Sequence, residues 1–261
     1  LNLRHRHYIK SEKYKGEIHF STGSNTARSS SNFYALNNAI ATLFEIRGVG
    51  IGKTSFKRRI NSGLSVGFSF LKTAYENSIF IFDEIAKANT YSNVIVLEHQ
   101  RSIYTDVIKA IDIGSNEMID FETTMHSSKD SYAISKRDRP LAYIIKQNNF
   151  GFIEKLKDVG IDYVELQKDT VIYSGGYRVI EFNDNFKVYE KMRMQKVVTS
   201  IEYNDNGFSK GDILISMNQK RSNLIAELLE PEAPNSYVSF GIINTSLNSQ
   251  LPIYRIKNLN N

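Results

Sequence analysis

Leu64, Phe68, Leu71, Tyr75, Ile79, Phe82 and Ile85 follow one another at spacings of three and four. Residues spaced that way share one stripe of an α-helix. The spacing predicts an amphipathic helix of roughly six turns, with Asn61 or Ser62 available to cap its start. Val94 to Leu97 either continues it or begins a new element.

Just before that helix lies Leu43-Phe44-Glu45-Ile46-Arg47-Gly48. Ala39 to Ile46 reads as a buried strand, and strand side chains alternate between faces. Glu45 and Arg47 then share one face, and Phe44 and Ile46 the other. A carboxylate beside a guanidinium, opening into a glycine loop, suits a catalytic base next to an anion-handling arginine. An ion pair of purely structural role has the same pattern.

The 261 residues are enough for one large domain or two ordinary ones. With 41% hydrophobic and 23% charged residues, a sizeable core is affordable and global disorder is not expected. No apolar run approaches the roughly 20 residues that span a bilayer. The net charge is +5, but the densest basic cluster, Lys57-Arg58-Arg59, is short and lacks interleaved aromatics, so nucleic acid is not an expected partner. The absence of cysteine excludes disulfides, thiolate metal sites and a cysteine nucleophile. The chain begins at Leu with no leader-like segment, which predicts a truncated or processed N-terminus.

Residues 21–32, rich in Ser, Thr and Asn, read as a loop, and Phe33 to Asn38 as a short helix. Further on, Leu141 to Ile145 reads as a strand. Phe150 to Val159 reads as a helix ended by Gly160, and Ile161 to Leu166 as an alternating strand. Tyr177 to Phe182, Val197 to Tyr203 and Gly211 to Met217 read as strands. A helix over Arg221 to Leu229 is stopped by Pro231 and Pro234. The fold class is α/β, with a strand-rich second region after a polar segment around Ser127 to Arg139.

Gly48-Val49-Gly50-Ile51-Gly52-Lys53-Thr54 resembles a phosphate-binding loop, whose glycines let backbone N–H groups surround phosphate. The required spacing puts the first glycine at position 47, which is Arg47. Ile79 to Glu84 resembles the acidic strand that completes such a site, yet Ile79 and Phe82 belong to the helical stripe. The simpler reading is a tight turn. A nucleotide-binding protein stays open as an alternative function.

At Leu43 to Gly48 the chain resembles the zinc metallocarboxypeptidases of the carboxypeptidase A type. In that family a glutamate and an arginine sit on a Phe-Glu-Leu-Arg-like strand before a final long helix. Thr22 to Asn25 and Arg28 to Asn38 look like a substrate-side loop and helix of bacterial relatives. Leu228 to Ser236 and Phe240 to Asn244 look like their C-terminal extension. The resemblance implies the C-terminal portion of a carboxypeptidase-like mixed-sheet α/β domain over residues 1–126. A smaller strand-rich α/β domain over residues 137–261 would follow it.

By that resemblance, Glu45 is the general base and Arg47 an electrostatic clamp on the oxyanion. Arg28, Asn32 and Tyr34 are candidate contacts for a peptide substrate, with Arg28 receiving the terminal carboxylate. The family holds zinc with an H-x-x-E pair and a later histidine, all upstream of the glutamate. None of His5, His7, His19, His99 or His126 has Glu three residues later. Zinc is therefore expected in a full-length enzyme whose ligands lie outside this chain, and the chain alone is expected to be inactive. His5 and His7 could hold a metal only if both faced one way on a strand. A non-catalytic peptide-binding homologue is the second alternative. The resemblance allows a periplasmic or secreted location without excluding a cytoplasmic one.

Overall fold

The computed structural model describes residues 5–88, 92–147 and 150–257, without the side chains of Phe150 and Phe152. In chain order the elements are β1 (Ile9–Tyr14), β2 (Glu17–Thr22), α1 (Ser30–Leu36), a 3-10 turn (Val49–Ser55), α2 (Phe56–Glu76), α3 (Ser78–Ala88), β3 (Val94–Ile111) and β4 (Met118–Asp138). Then come β5 (Ala142–Ile145), α4 (Phe150–Asp158), β6 (Val164–Glu165), β7 (Thr170–Tyr189), β8 (Met192–Phe208), β9 (Ile213–Ser216), α5 (Ser222–Leu229) and β10 (Gln250–Ile256). The fold is mixed α/β, with one sheet ordered β1-β2-β4-β3 and another ordered β6-β9-β5-β10-β7-β8. Among the described residues no helix is long and apolar enough to cross a membrane.

The chain divides into two compact units. The first takes the described residues of Leu1–Asn25, Thr42–Ala86 and His99–Tyr132. The second takes those of Thr26–Ala41, Lys87–Glu98 and Ala133–Asn261.

In the second unit, β5 is buried on both faces. Tyr143 and Ile145 join the larger core with Leu156, Ile225 and Leu229, while Ala142 and Ile144 pack with Phe208, Tyr254 and Ile256 on the other side. A run without polar alternation is what a doubly covered central strand requires. Helix α4 ends as its glycine predicts. Gly160 takes φ +70°, its N–H donates to the Lys157 carbonyl at 2.8 Å, and the Ile161 N–H donates to Leu156 at 3.0 Å. Those two bonds make a Schellman cap, closed by buried Ile161. In α4, Ile153 and Leu156 are buried, whereas the side chain of Phe152 lies outside the described residues.

In the first unit, β1 and β2 form a hairpin through Lys15 and Gly16, both at positive φ. β2 pairs in parallel with β4, placing His19 opposite Thr124 and Ser21 opposite His126. Thr22 and Ser128 share a hydroxyl–hydroxyl bond of 2.7 Å beyond that register. The loop joining β3 to β4 is held by the Asp112 carboxylate, which accepts from the Ser115 hydroxyl at 2.8 Å and the Ser115 N–H at 3.0 Å.

Several expectations are corrected. The six-turn helix is two helices, broken at Asn77, whose amide donates to the Thr73 carbonyl at 2.8 Å. An Asn side chain that competes for a backbone carbonyl in this way favours a helix end. The apolar stripe is exposed rather than covered: Tyr75 and Ile79 keep 82% and 79% of their surface. Ala39 to Ile46 is not a buried strand. It is irregular, and among the described residues no strand supplies it with a ladder. The polar segment from Ser127 to Asp138 is part of β4, with Thr123, Met125 and Ser127 buried at alternate positions. Of the strand expected over Ile161 to Leu166 only Val164–Glu165 forms. β7 and β8 run well past their expected apolar centres, and Val94 starts β3 rather than extending a helix.

Candidate functional site

No strand forms at Leu43 to Arg47. Phe44 and Ile46 line an apolar groove of about 350 Å³ against Gly63, Val66 and Gly67 of α2. The Ile46 Cδ1 lies 3.4 Å from where a Cβ on Gly63 would stand, so α2 offers this segment a glycine face. Glu45 and Arg47 both project to solvent.

The segment is fixed downstream by α2. The Arg58 Nη2 donates to the Arg47 carbonyl at 2.6 Å, and the buried Ser55 hydroxyl donates to the Gly48 carbonyl. Gly48 sits at φ +123°, and a Cβ there would fall 2.7 Å from both Arg58 Nη2 and Ser55 Oγ. Glycine is thus required at 48 by conformation and by space. The following Gly-rich run is the 3-10 turn, kinked at Ile51 and Gly52, and the Thr54 hydroxyl donates to the Ile51 carbonyl at 2.6 Å. Ile79 to Glu84 lies within α3, so the acidic strand needed by a phosphate site is a helix here.

Arg28, Asn32 and Tyr34 lie in the second unit, whereas Glu45 and Arg47 lie in the first. Arg28 stacks its guanidinium 4.0 Å from the Tyr189 ring centroid and 5.6 Å from that of Phe240. Its Nη1 donates to the Asn235 Oδ1 at 2.7 Å, and Asn235 Nδ2 donates to Glu227 at 2.5 Å. Burial pushes the Glu227 carboxyl up, against the opposing pull of Asn235 and of the Arg28 charge. Arg28 is therefore an oriented cation with a face still open to solvent. Asn32 donates to the Thr26 carbonyl at 3.0 Å, a bond that ties the entry of α1. Tyr34 is exposed, edge-on to Phe33 at 5.8 Å.

The segment read as a C-terminal extension supplies a buried ionic network. Arg137 Nη1 meets Glu230 at 2.5 Å and Glu232 at 2.8 Å, and Glu230 accepts from the Tyr143 hydroxyl at 2.5 Å. Arg255 Nε lies 3.4 Å from Glu230. Burial would raise the Glu232 carboxyl, but the Arg137 hydrogen bond and charge, with Thr199, outweigh it and hold the group low. Tyr143 and Tyr177 are pushed up, first by burial and then by the Glu230 charge. Arg137 stays charged despite its burial because both glutamates face it. Such a network fixes a core. Spacing did not reveal it, since its members are about ninety residues apart.

One pairing of titratable groups was also missed. His19 Nδ1 stands 2.9 Å from His126 Nε2, brought there by the parallel β2–β4 register. His5 and His7 are exposed and outside any strand, so they have no common face, and His99 is exposed on β3. Among the described residues no group of three or more His, Cys, Asp or Glu could hold a metal ion. The described residues therefore do not make up a complete zinc site.

Comparison with known proteins relates the chain to one class of hydrolase, the carboxypeptidases. It is 26% identical over 253 residues to carboxypeptidase 2 of Trichophyton tonsurans, an alignment covering 95% of this chain and 47% of that protein. It is 27% identical over 230 residues to carboxypeptidase 2 of Trichophyton equinum, covering 87% and 43%. It is 25% identical over 203 residues to the probable carboxypeptidase 2 of Arthroderma benhamiae, covering 76% and 39%. The chain thus spans about half the length of the curated relatives it matches. No family model matches it, and no solved structure does.

Proposed function

We propose that this chain is part of a zinc-dependent metallocarboxypeptidase of the carboxypeptidase A type, which hydrolyses the last peptide bond of a peptide. The observation that carries the reading is the likeness to carboxypeptidase 2 along 95% of the chain. The exposed, tethered Glu45–Arg47 segment supports it.

In this reading Glu45 takes a proton from the attacking water and returns it to the leaving amine, a role worth roughly 10²–10⁴-fold in rate. Its exposure leaves the carboxylate free to reach substrate. Arg47, two residues on, places positive charge where an oxyanion develops. Arg28 receives the substrate's terminal carboxylate. Stacking on Tyr189 and the bond to Asn235 hold its guanidinium plane, so less rotamer freedom is lost when an anion binds. Asn32 and Tyr34 complete the substrate side from α1. Zinc belongs to the full-length enzyme, with ligands outside these 261 residues, and the 261-residue chain alone has no turnover.

The test is hydrolysis by the full-length protein of one peptide with a free and with an amidated C-terminus. The proposal expects release of the last amino acid from the free peptide only, and loss of that release on chelation. Equal cleavage of both peptides would overturn the carboxypeptidase assignment. Peptide binding without cleavage would make the protein a non-catalytic homologue.

A further inference from the structure

Two histidines 107 residues apart share one pair of facing nitrogens. On the parallel β2–β4 ladder His19 stands opposite Thr124, and His126 lies two residues along the same face. The rings stack at 5.2 Å between centroids, and His19 Nδ1 lies 2.9 Å from His126 Nε2. Behind His19, the Glu17 carboxylate stands 3.3 Å from Nε2. A carboxylate only accepts, so Nε2 carries a hydrogen, and in the neutral ring Nδ1 presents a lone pair. His126 then donates Nε2–H to that lone pair. Tyr14 packs 5.2 Å from His19 and 6.4 Å from His126, and the His19 side chain keeps only 12% exposure.

One proton thus lies between two ring nitrogens. Imidazole binds a first-row divalent ion at about 2.0–2.1 Å. At such bond lengths, nitrogens 2.9 Å apart subtend about 90°, whereas a tetrahedral site would need them about 3.3 Å apart. Right-angled nitrogen donors suit tetragonal Cu²⁺ or Ni²⁺, and Cu²⁺ binds nitrogen sites most tightly. The carboxylate behind His19 is the customary orienting partner of a metal-bound imidazole.

We propose that His19 and His126 form a two-imidazole site for a tetragonal divalent ion of the Cu²⁺ class, oriented by Glu17. Water fills the remaining positions. When the ion enters, the hydrogen on His126 Nε2 moves to Nδ1 of the same ring. No proton leaves if both rings are neutral, and one leaves from any ring that was protonated. Neither histidine belongs to an H-x-x-E pair.

The test is titration of the 261-residue chain with Cu²⁺, followed by electron paramagnetic resonance. The expected result is one tight equivalent with splitting from two imidazole nitrogens. His19→Gln and His126→Gln should each remove the two-nitrogen pattern and weaken binding at least tenfold, and His99→Gln should change neither. Glu17→Gln should weaken binding by roughly ten- to a hundredfold. Circular dichroism checks that each variant folds. In the unsubstituted chain, substoichiometric Cu²⁺ should broaden the ring resonances of His19 and His126 and spare those of His99. Equal broadening of all five histidines, or a two-nitrogen pattern that survives His126→Gln, would overturn the proposal.

Discussion

The Arg58 guanidinium donates to the main-chain carbonyl of Arg47 at 2.6 Å, so the segment presenting Glu45 is tied to the first turn of α2. Ser55 secures the next carbonyl, that of Gly48. The segment carrying Glu45 is thereby anchored by residues that follow it, not by a sheet.

Gly48→Ala tests that tether. The new Cβ meets Arg58 and Ser55 at 2.7 Å, and the backbone is at φ +123°. The expected cost is about 1–3 kcal/mol in urea unfolding of the 261-residue chain, from strain and displaced hydrogen bonds. Gly50→Ala, which meets nothing within 4 Å and has no positive φ, should cost much less.

A second prediction concerns the buried ions. Arg137→Met leaves the fully buried Glu230 carboxylate short of its principal cation. Losing one partner of such a pair costs about 3–5 kcal/mol. The double change Arg137→Met with Glu230→Gln should cost less than the sum of the single changes, as measured by a double-mutant cycle in urea.

Two glutamates of the second unit act in opposite senses with pH. Glu232 is held below its ordinary value of 4.5, so its stabilisation is present above pH 4.5 and lost as pH falls through the lower folded value. Glu227 is raised, so its contribution is full below pH 4.5 and is lost as pH rises through the folded value. The thermal midpoint of Glu232→Gln should fall less steeply on acidification than that of the unsubstituted chain. For Glu227→Gln the decline above pH 4.5 should shrink. Melting curves across that range check both.

The exposed stripe on α2 and α3 predicts self-association. Leu71 and Tyr75 on α2 and Ile79 and Phe82 on α3 are all large, apolar and exposed, more than scattered single surface residues explain. Sedimentation of the 261-residue chain should show concentration-dependent association, reduced by Tyr75→Lys with Ile79→Lys. A monomer at all concentrations would contradict it.

The fold was legible where local chemistry alone decides. Gly160 ended α4, the prolines after Leu229 ended α5, and the apolar run of β5 marked a strand. It was illegible where partners lie far off. The Glu190–Lys191 turn joining β7 to β8 puts two non-glycine residues at positive φ, so no Asn-Gly signal announced the hairpin. β4 hides its strand under serines, threonines and a histidine whose partners lie about 105 residues away on β2. At the site, Phe44 and Ile46 do line one groove, while Glu45 and Arg47 are exposed. Spacing could not foresee that the segment lacks a neighbouring strand. Neither the Asn235 and Tyr189 supports of Arg28 nor the His19–His126 pair carries a local signature.

The central claim rests on the Glu45 carboxylate as proton carrier. Its most direct test is kcat for release of a C-terminal amino acid by the full-length protein and by its Glu45→Gln variant. The account predicts a fall of roughly 10²–10⁴-fold in kcat with KM little changed. A variant that keeps the parent's kcat would contradict it.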